Sequence, residues 1–319
     1  MKAAVLHQLG QSPRYEDFPD PVPTGNQVLV SVKAASVKNL DKGRASGAHY
    51  AAHTHLPEVV GVDGVGITAD GQRIYGMGLT GMIAEKALVD PKRSTPVPAE
   101  MDDVTAAALP NAVLGAALAL KYRAGIGPGK NVLVNGATGV TGKVAVQLAR
   151  HFGAGKVIGT GRNPTALAEL RSLGADEVVP LGDSFVSDLK ALHASTPIDI
   201  VIDYLWGQPL EEVLGALKGG GLHALPHSVR IVTVGSMAGE DIRLPSGFLR
   251  SSPIEIVGSG FGSLPAEAMD SLYTDMLPDM FRLAASGGLR MDTEVVPLSD
   301  IGDAWTRHIP SGKRLVIVV

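Results

Sequence analysis

At 319 residues, 45% of them apolar, the chain is long enough for two domains with buried cores. Its 28 basic and 32 acidic side chains leave a formal net charge of −4, which gives no footprint for nucleic acid or an anionic membrane surface. The absence of cysteine excludes disulfides, thiol catalysis, iron–sulfur clusters and cysteine-ligated zinc. No run of about 18 uninterrupted apolar residues predicts a membrane span, and the first residues turn polar too soon for a secretory signal, so a soluble cytoplasmic protein is expected.

Residues 2–5 read as a first strand and 27–33 as a second with alternating apolar positions, separated by the Pro- and Gly-rich loop 20–25. Strand-and-turn texture through 56–66, 72–76 and 82–89 predicts a small, mostly β domain to about residue 109. Residues 104–124, rich in alanine and leucine, read as two helices broken near Pro110. Gly127-Pro128-Gly129 then marks the entry to a second domain.

That domain opens on the most informative stretch, Asn131-Val-Leu-Val-Asn-Gly-Ala-Thr-Gly-Val-Thr-Gly142. A short apolar strand stops at a cluster of small residues, and 143–150 continue with helical apolar spacing. The turn Ala137-Thr138-Gly139-Val140-Thr141-Gly142 fits G-x-G-x-x-G with Ala137 in the first glycine place. Gly139 would let backbone approach a pyrophosphate, and Gly142 would let the helix pack close to the strand. The helix N-terminus would present free N–H groups and a positive dipole end. This turn is read as a dinucleotide site. A second strand, 156–160, ends in Gly161-Arg162-Asn163. An NAD site would put Asp or Glu at this tip to bind the ribose 2′-hydroxyl. The tip carries Arg162 instead, and a guanidinium suits a 2′-phosphate, so NADPH is the expected cofactor; a solvated loop charge is the alternative.

Beyond the tip, helices are expected at 165–173, 187–194 and 209–217, and strands at 177–179, 198–203, 229–234 and 254–257. This is the alternation of a doubly wound parallel sheet. A helix over 267–285 follows, and a terminal strand, 314–319, is expected to return to the first domain.

These segments together resemble the medium-chain dehydrogenase/reductase superfamily, in its zinc-independent quinone oxidoreductase-like family. The resemblance rests on Asn39-Leu-Asp41, Gly61-Val-Asp-Gly-Val-Gly66, Gly136-Ala-Thr-Gly-Val-Thr-Gly142, Leu173-Gly-Ala-Asp176, Asp203-Tyr204, Val234-Gly-Ser-Met-Ala-Gly239 and Gly312-Lys-Arg-Leu-Val316. It implies an α/β architecture with a discontinuous GroES-like, mostly β catalytic domain over 1–112 and 264–319. A Rossmann NADP(H)-binding domain would occupy 113–263, with substrate and nicotinamide in the cleft between the two. It also implies hydride transfer from NADPH to a small-molecule quinone or α,β-unsaturated carbonyl, often in a homodimer. Carried over by position, Gly139, Val140 and Gly161-Arg162-Asn163 would hold pyrophosphate and 2′-phosphate, while Val234-Gly235-Ser236 and Gly260-Phe261 would flank ribose and nicotinamide. Zinc-dependent relatives carry Gly-His-Glu where this chain has Gly61-Val62-Asp63, and their cysteine ligand falls near Lys38, so no metal is expected. The chain departs from the family at Gly115, where a polar residue is common beside the nicotinamide, and at Leu181, where NADP-binding relatives often carry tyrosine. Lys38 stands where many have asparagine.

In the expected reaction a hydroquinone or enolate is already a fairly stable anion, so a strong general acid is optional. Tyr50, one of six tyrosines, is the first donor candidate, with a packing role as the alternative. Lys38 is a candidate to stabilise an oxyanion, against the reading of a solvated or salt-bridged lysine. Asn39 is a further candidate, and Asn39 and Asp41 also suit the start of a helix, the role favoured for Asp41. His49, His53 and His55 cluster without acidic or thiol ligands at matching spacing, and are read as a loop rather than a metal site. Two rival readings remain: a zinc-free alcohol or ketone reductase, and a non-catalytic NADPH-binding redox sensor.

Overall fold

The computed structural model describes residues 1–49, 51–218 and 227–319, without the side chains of Phe261 and Asp270. The chain divides into two compact units, Met1–Asn111 with Asp270–Val319, and Ala112–Met269.

In the first unit, β1 (Lys2–Leu6) pairs antiparallel with β2 (Arg14–Asp17) and with β4 (Glu58–Val59). The ten-residue β3 (Val28–Val37) is followed at once by helix α1 (Asn39–Ser46). Strands β5 (Asp63–Thr68), β6 (Arg73–Gly78) and β7 (Lys86–Pro96) then meander, and β7 returns to pair with the first half of β3, closing the sheet on itself. The strand expected at 82–89 begins only at Lys86. Residues 82–84 close instead on β1 and on 60–61, through Ala4 N to Ile83 O (2.9 Å) and Met82 N to Gly61 O (3.0 Å). Helix α2 (Asp103–Val113) continues as a π-helix over Leu114–Arg123, so the two helices expected to break at Pro110 are one 21-residue run. Proline in a helix costs about 3 kcal/mol. Here the alanines and leucines on both sides of it are buried, and that packing outweighs the lost hydrogen bond. The run is long and apolar enough to cross a membrane by composition, yet 72% of its most apolar window is buried in protein, as in a core helix.

The second unit carries a six-stranded, all-parallel sheet. In chain order come β8 (Val132–Asn135), α3 (Val140–His151), β9 (Val157–Gly161), α4 (Pro164–Ser172), β10 (Glu177–Pro180) and α5 (Phe185–Ser195). They continue with β11 (Ile200–Asp203), α6 (Gly207–Leu217), β12 (Val229–Thr233), α7 (Ser246–Ser251) and β13 (Ile254–Gly258). The spatial order β10-β9-β8-β11-β12-β13 is the doubly wound sheet expected from the alternation. Strands β8 and β11 are neighbours, and the connections run in opposite directions from there. The crevice at this switch point lies over the C-terminal end of β8, where the glycine turn begins.

Where the chain returns to the first unit, the helix expected over 267–285 is interrupted: α8 (Ala266–Asp270), a π-turn over Leu272–Met276, then α9 (Leu277–Ala285), with Pro278 in the first turn of α9. Strand β14 (Asp292–Pro297) and helix α10 (Ile301–Thr306) follow, and the terminal β15 (Lys313–Val318) lies between β14 and the second half of β3. Leu315 and Ile317 of β15 join Ala35, Val37, Ile83 and Trp305 in one apolar core. The second unit has its own core, built on Leu133, Ile158, Phe185, Val201 and Ile231.

Candidate functional site

The glycine turn owes its shape to two close approaches. A Cβ on Gly142 would stand 2.3 Å from the Gly136 carbonyl oxygen and 2.7 Å from the Ala137 Cα, so helix α3 is pressed directly onto the turn that precedes it. Gly136 has φ +84°, a left-handed conformation that glycine adopts without strain. Gly139 differs: the single atom near its absent Cβ is the Gly136 carbonyl oxygen at 3.5 Å, an ordinary separation, so its outer face is open. Ala137 is buried, with its N–H on the Thr160 carbonyl (2.8 Å), and Gly139 begins α3, its carbonyl accepting from Lys143 N at 2.9 Å. The N–H groups of Val140, Thr141 and Gly142 in the first turn of α3 have no helix carbonyl ahead of them. Backbone donors and the helix dipole therefore converge beside an open surface, an arrangement that binds phosphate.

Strand β9 brings its C-terminal end to the same place. A Cβ on Gly161 would stand 2.5 Å from the Thr138 Cγ2, so a bare glycine lets the Thr138 side chain rest against the strand end. Arg162 follows, exposed, with no hydrogen bond or ion pair among the described residues. Asn163 caps α4, its Oδ1 accepting from Ala166 N at 3.1 Å, which fixes the direction in which the chain leaves the tip. Leu181 donates its N–H to the Gly161 carbonyl (2.8 Å), and its side chain packs into the core.

Beneath the turn lies a polar network that the sequence reading passed over. Asn135 Nδ2 donates to Asp203 Oδ1 (2.8 Å), Thr160 Oγ1 donates to Asn135 Oδ1 (2.7 Å), and Gly136 N donates to Thr160 Oγ1 (3.1 Å). Asp203 also accepts from Leu205 N (3.3 Å) and Trp206 N (3.0 Å). Burial pushes the Asp203 carboxyl above its ordinary range, and the bonds from Asn135 and the two N–H groups oppose that rise. One signal in the sequence could have found it: Asn135 and Asp203 each close an otherwise apolar strand, and Thr160 is the next-to-last residue of a third, on three neighbouring strands. Next to Asp203, the buried Tyr204 hydroxyl donates to the Gly115 carbonyl (3.2 Å), and burial holds the phenol well above its usual pKa, in the protonated form. A Cβ on Gly115 would stand 3.1 Å from the Thr141 Cγ2 and 3.8 Å from the Val234 Cγ1, which sets Gly115 beside the glycine turn and the end of β12.

Of the residues expected at ribose and nicotinamide, Val234 N donates to the Asp203 carbonyl (2.8 Å). Gly235 lies against the Tyr204 carbonyl, and the exposed Ser236 donates from Oγ to Glu240 Oε1 (2.7 Å). Gly260 has open space where a Cβ would be, and the backbone of Phe261 opens a short 3₁₀ turn. Ser259 N on the Thr233 carbonyl (2.8 Å) brings this loop to the end of β12.

The three residues expected to be catalytic lie in the first unit. Tyr50 is outside the described residues. Asn39 is exposed at the start of α1. Lys38 is buried, and its ammonium is engaged by Ser36, Asp41 and Asp63, so the salt-bridged reading holds and the donors that would face a substrate oxyanion are already used. Asp41 serves the helix start as expected, accepting the Lys38 N–H at 2.9 Å. Of the three clustered histidines, His53 pairs with Glu58 (2.8 Å) and His49 accepts from Ala51 N (3.1 Å). No group of three or more His, Cys, Asp or Glu side chains among the described residues could hold a metal ion.

Comparison with known proteins places this geometry among oxidoreductases. The model of the zinc-binding dehydrogenase family matches residues 140–280. A probable NADPH-dependent quinone reductase of Emericella nidulans is 30% identical, over 96% of this chain and 96% of that protein. A chloroplastic NADPH-dependent alkenal/one oxidoreductase of Arabidopsis thaliana is also 30% identical, over 78% of this chain and 70% of that one. Among solved structures, the quinone oxidoreductase of Thermus thermophilus, determined also in complex with NADPH, superposes with a TM-score of 0.83 at 28% identity, covering all of both chains.

Proposed function

The chain belongs to the medium-chain dehydrogenase/reductase superfamily, in its quinone oxidoreductase-like family, and from that membership we propose that it transfers hydride to a quinone or an α,β-unsaturated carbonyl without a metal ion. It is an NADPH-type oxidoreductase that acts on a small molecule. The observation that carries the proposal is the exposed guanidinium of Arg162, without a partner among the described residues, beside a glycine turn whose outer face is open.

NADPH fits the residues present. The turn leaves room at Gly139 for a pyrophosphate, the first-turn N–H groups of α3 face the same space, and Arg162 offers a fork of donors suited to a 2′-phosphate. When bound, the nicotinamide supplies the hydride. Val234, Gly235, Ser236 and Gly260 are the proposed neighbours of ribose and nicotinamide. The Tyr204 hydroxyl, held on the Gly115 carbonyl and kept protonated by burial, steadies the backbone beside Thr141. Asn39 and Tyr50 are proposed on the substrate side, with Tyr50 the donor to the oxygen that gains charge. Reduced quinones and enolates are stable enough that orientation carries more of the barrier than proton transfer does.

The test is oxidation of NADPH, followed optically in EDTA, against quinones, enones and simple ketones, with NADH in parallel. Turnover of quinones or enones with NADPH preferred is the expected result. Turnover of simple ketones alone would replace the proposal with an alcohol or ketone reductase, and tight NADPH binding without any turnover would replace it with a sensor.

A further inference from the structure

A positive charge sits inside an all-oxygen cage in the first unit. The Lys38 Nζ is 2.8 Å from the Ser36 carbonyl oxygen, 3.2 Å from Ser36 Oγ, 2.8 Å from Asp63 Oδ1 and 3.2 Å from Asp41 Oδ2. Three N–H donors therefore meet four oxygens, two of them carboxylate, and Lys38, Asp41 and Asp63 are each no more than 3% exposed. Such distances suit N–H···O bonds and exceed the roughly 2.0–2.6 Å of magnesium or calcium to oxygen.

The cage ties together segments far apart in sequence. Ser36 is near the end of β3, Lys38 precedes α1, and Asp63 opens β5. Asp41 spans the same junction, with Oδ2 on the Lys38 N–H (2.9 Å) and Oδ1 on the Val62 N–H (2.8 Å). Other charged and titratable groups face the pair: Arg314 from β15, Tyr75 from β6, and Tyr273. The Tyr75 hydroxyl and Arg314 Nε have no hydrogen-bond partner among the described residues, so Lys38 is the cation whose ammonium touches both carboxylates. Burial pushes the Asp63 carboxyl up, with the charge of Lys38 opposing it and that of Asp41 adding to it.

We propose that Lys38 is the resident cation of this site: its tethered ammonium is the counter-charge that Asp41 and Asp63 meet in the core, so that the β3–α1–β5 junction is held without a bound ion. The proposal concerns how this unit is held together and does not depend on which acceptor is reduced.

The experiment is thermal melting of the full chain between about pH 4 and pH 8, comparing the parent with Lys38→Met, which keeps the length and removes the charge. An uncompensated buried carboxylate pair should lower the melting temperature by about 5–15 °C near neutral pH. Without the ammonium, nothing from Lys38 opposes the rise that burial gives the Asp63 carboxyl. The stability from that group is then complete at low pH and lost as the pH rises, so the gap to the parent narrows towards pH 4. Adding Asp63→Asn to Lys38→Met should recover much of the loss. A gap that stays constant with pH, or an Asp63→Asn change that deepens the loss, overturns the proposal, because lost packing alone is indifferent to pH. If Lys38→Met yields no soluble protein, the double variant decides: cooperative melting supports the proposal, and failure like that of the single variant refutes it. A failure of the metal-free reaction reading would show separately, as turnover abolished by EDTA in the parent protein.

Discussion

Arg162 and the glycines around it can be separated by what each is expected to lose. Arg162 is exposed and makes no internal bond among the described residues, so Arg162→Ala should leave the melting temperature unchanged. It should weaken NADPH binding about ten- to a hundredfold, the worth of a charge-assisted bond, with NADH affected little. Fluorescence titration with both cofactors checks this, and equal losses would show that Arg162 does not read the 2′-phosphate. Gly139 and Gly142 should diverge. An added Cβ at 142 meets backbone atoms at 2.3 and 2.7 Å, so Gly142→Ala should cost about 1–3 kcal/mol of stability as well as affinity. At 139 the added methyl meets no protein closer than 3.5 Å, so Gly139→Ala should melt like the parent and bind NADPH more weakly. The residue pattern announced both glycines, but only the packing separates the one pressed against backbone from the one that faces open space.

At the scale of elements, the glycine turn is held from below by residues at three strand ends. Thr160 accepts the Gly136 N–H and donates to Asn135, so Thr160→Val strands a half-buried donor and a buried acceptor. A loss of about 1–3 kcal/mol is expected, seen as a melting temperature several degrees lower together with weaker cofactor binding. Asp203 carries a pH signature. Its folded pKa lies above the unfolded value, so the stability from its titration is complete below about pH 3.9 and lost as the pH rises through the folded pKa. Asp203→Asn, neutral like the protonated acid, should remove that pH dependence, so the two proteins should melt most alike at the lowest pH and diverge as the pH rises. Elements whose reading failed were those where burial overrode a local signal. Pro110 predicts a break, yet the helix runs on to Arg123 because apolar side chains are buried along its length. Residues 82–84 have the composition of a strand, but their partners are β1 and the 60–61 segment rather than the sheet that β7 joins.

Across the whole molecule, the C-terminal strand has a structural weight that its terminal position conceals. β15 lies between β14 and β3 and contributes Leu315 and Ile317 to the core of the first unit. Removing residues 313–319 should therefore abolish cooperative melting of that unit, whereas fraying of an edge strand would cost a few degrees. NADPH should raise the melting temperature of the parent by mass action, since a ligand bound only to the folded state adds about 2.7 kcal/mol at a hundred times its Kd. The same shift with NADH would count against the preference for the phosphorylated cofactor.

The amino-acid sequence by itself determined the parallel sheet, the glycine turn between its first strand and helix, the family and the arginine at the second strand end. Each of these is written in local pattern: apolar period, glycine spacing, and the residue at one tip. Tertiary structure alone decided the rest, because it depends on which distant groups share a buried space. Asn135, Thr160 and Asp203 become one network only when β8, β9 and β11 lie side by side. Lys38, a candidate oxyanion binder on paper, becomes an internal cation because folding brings Ser36, Asp41 and Asp63 around its ammonium and shuts out water. A charge in the core must be met by other charges, and the partners that meet it are chosen by the fold.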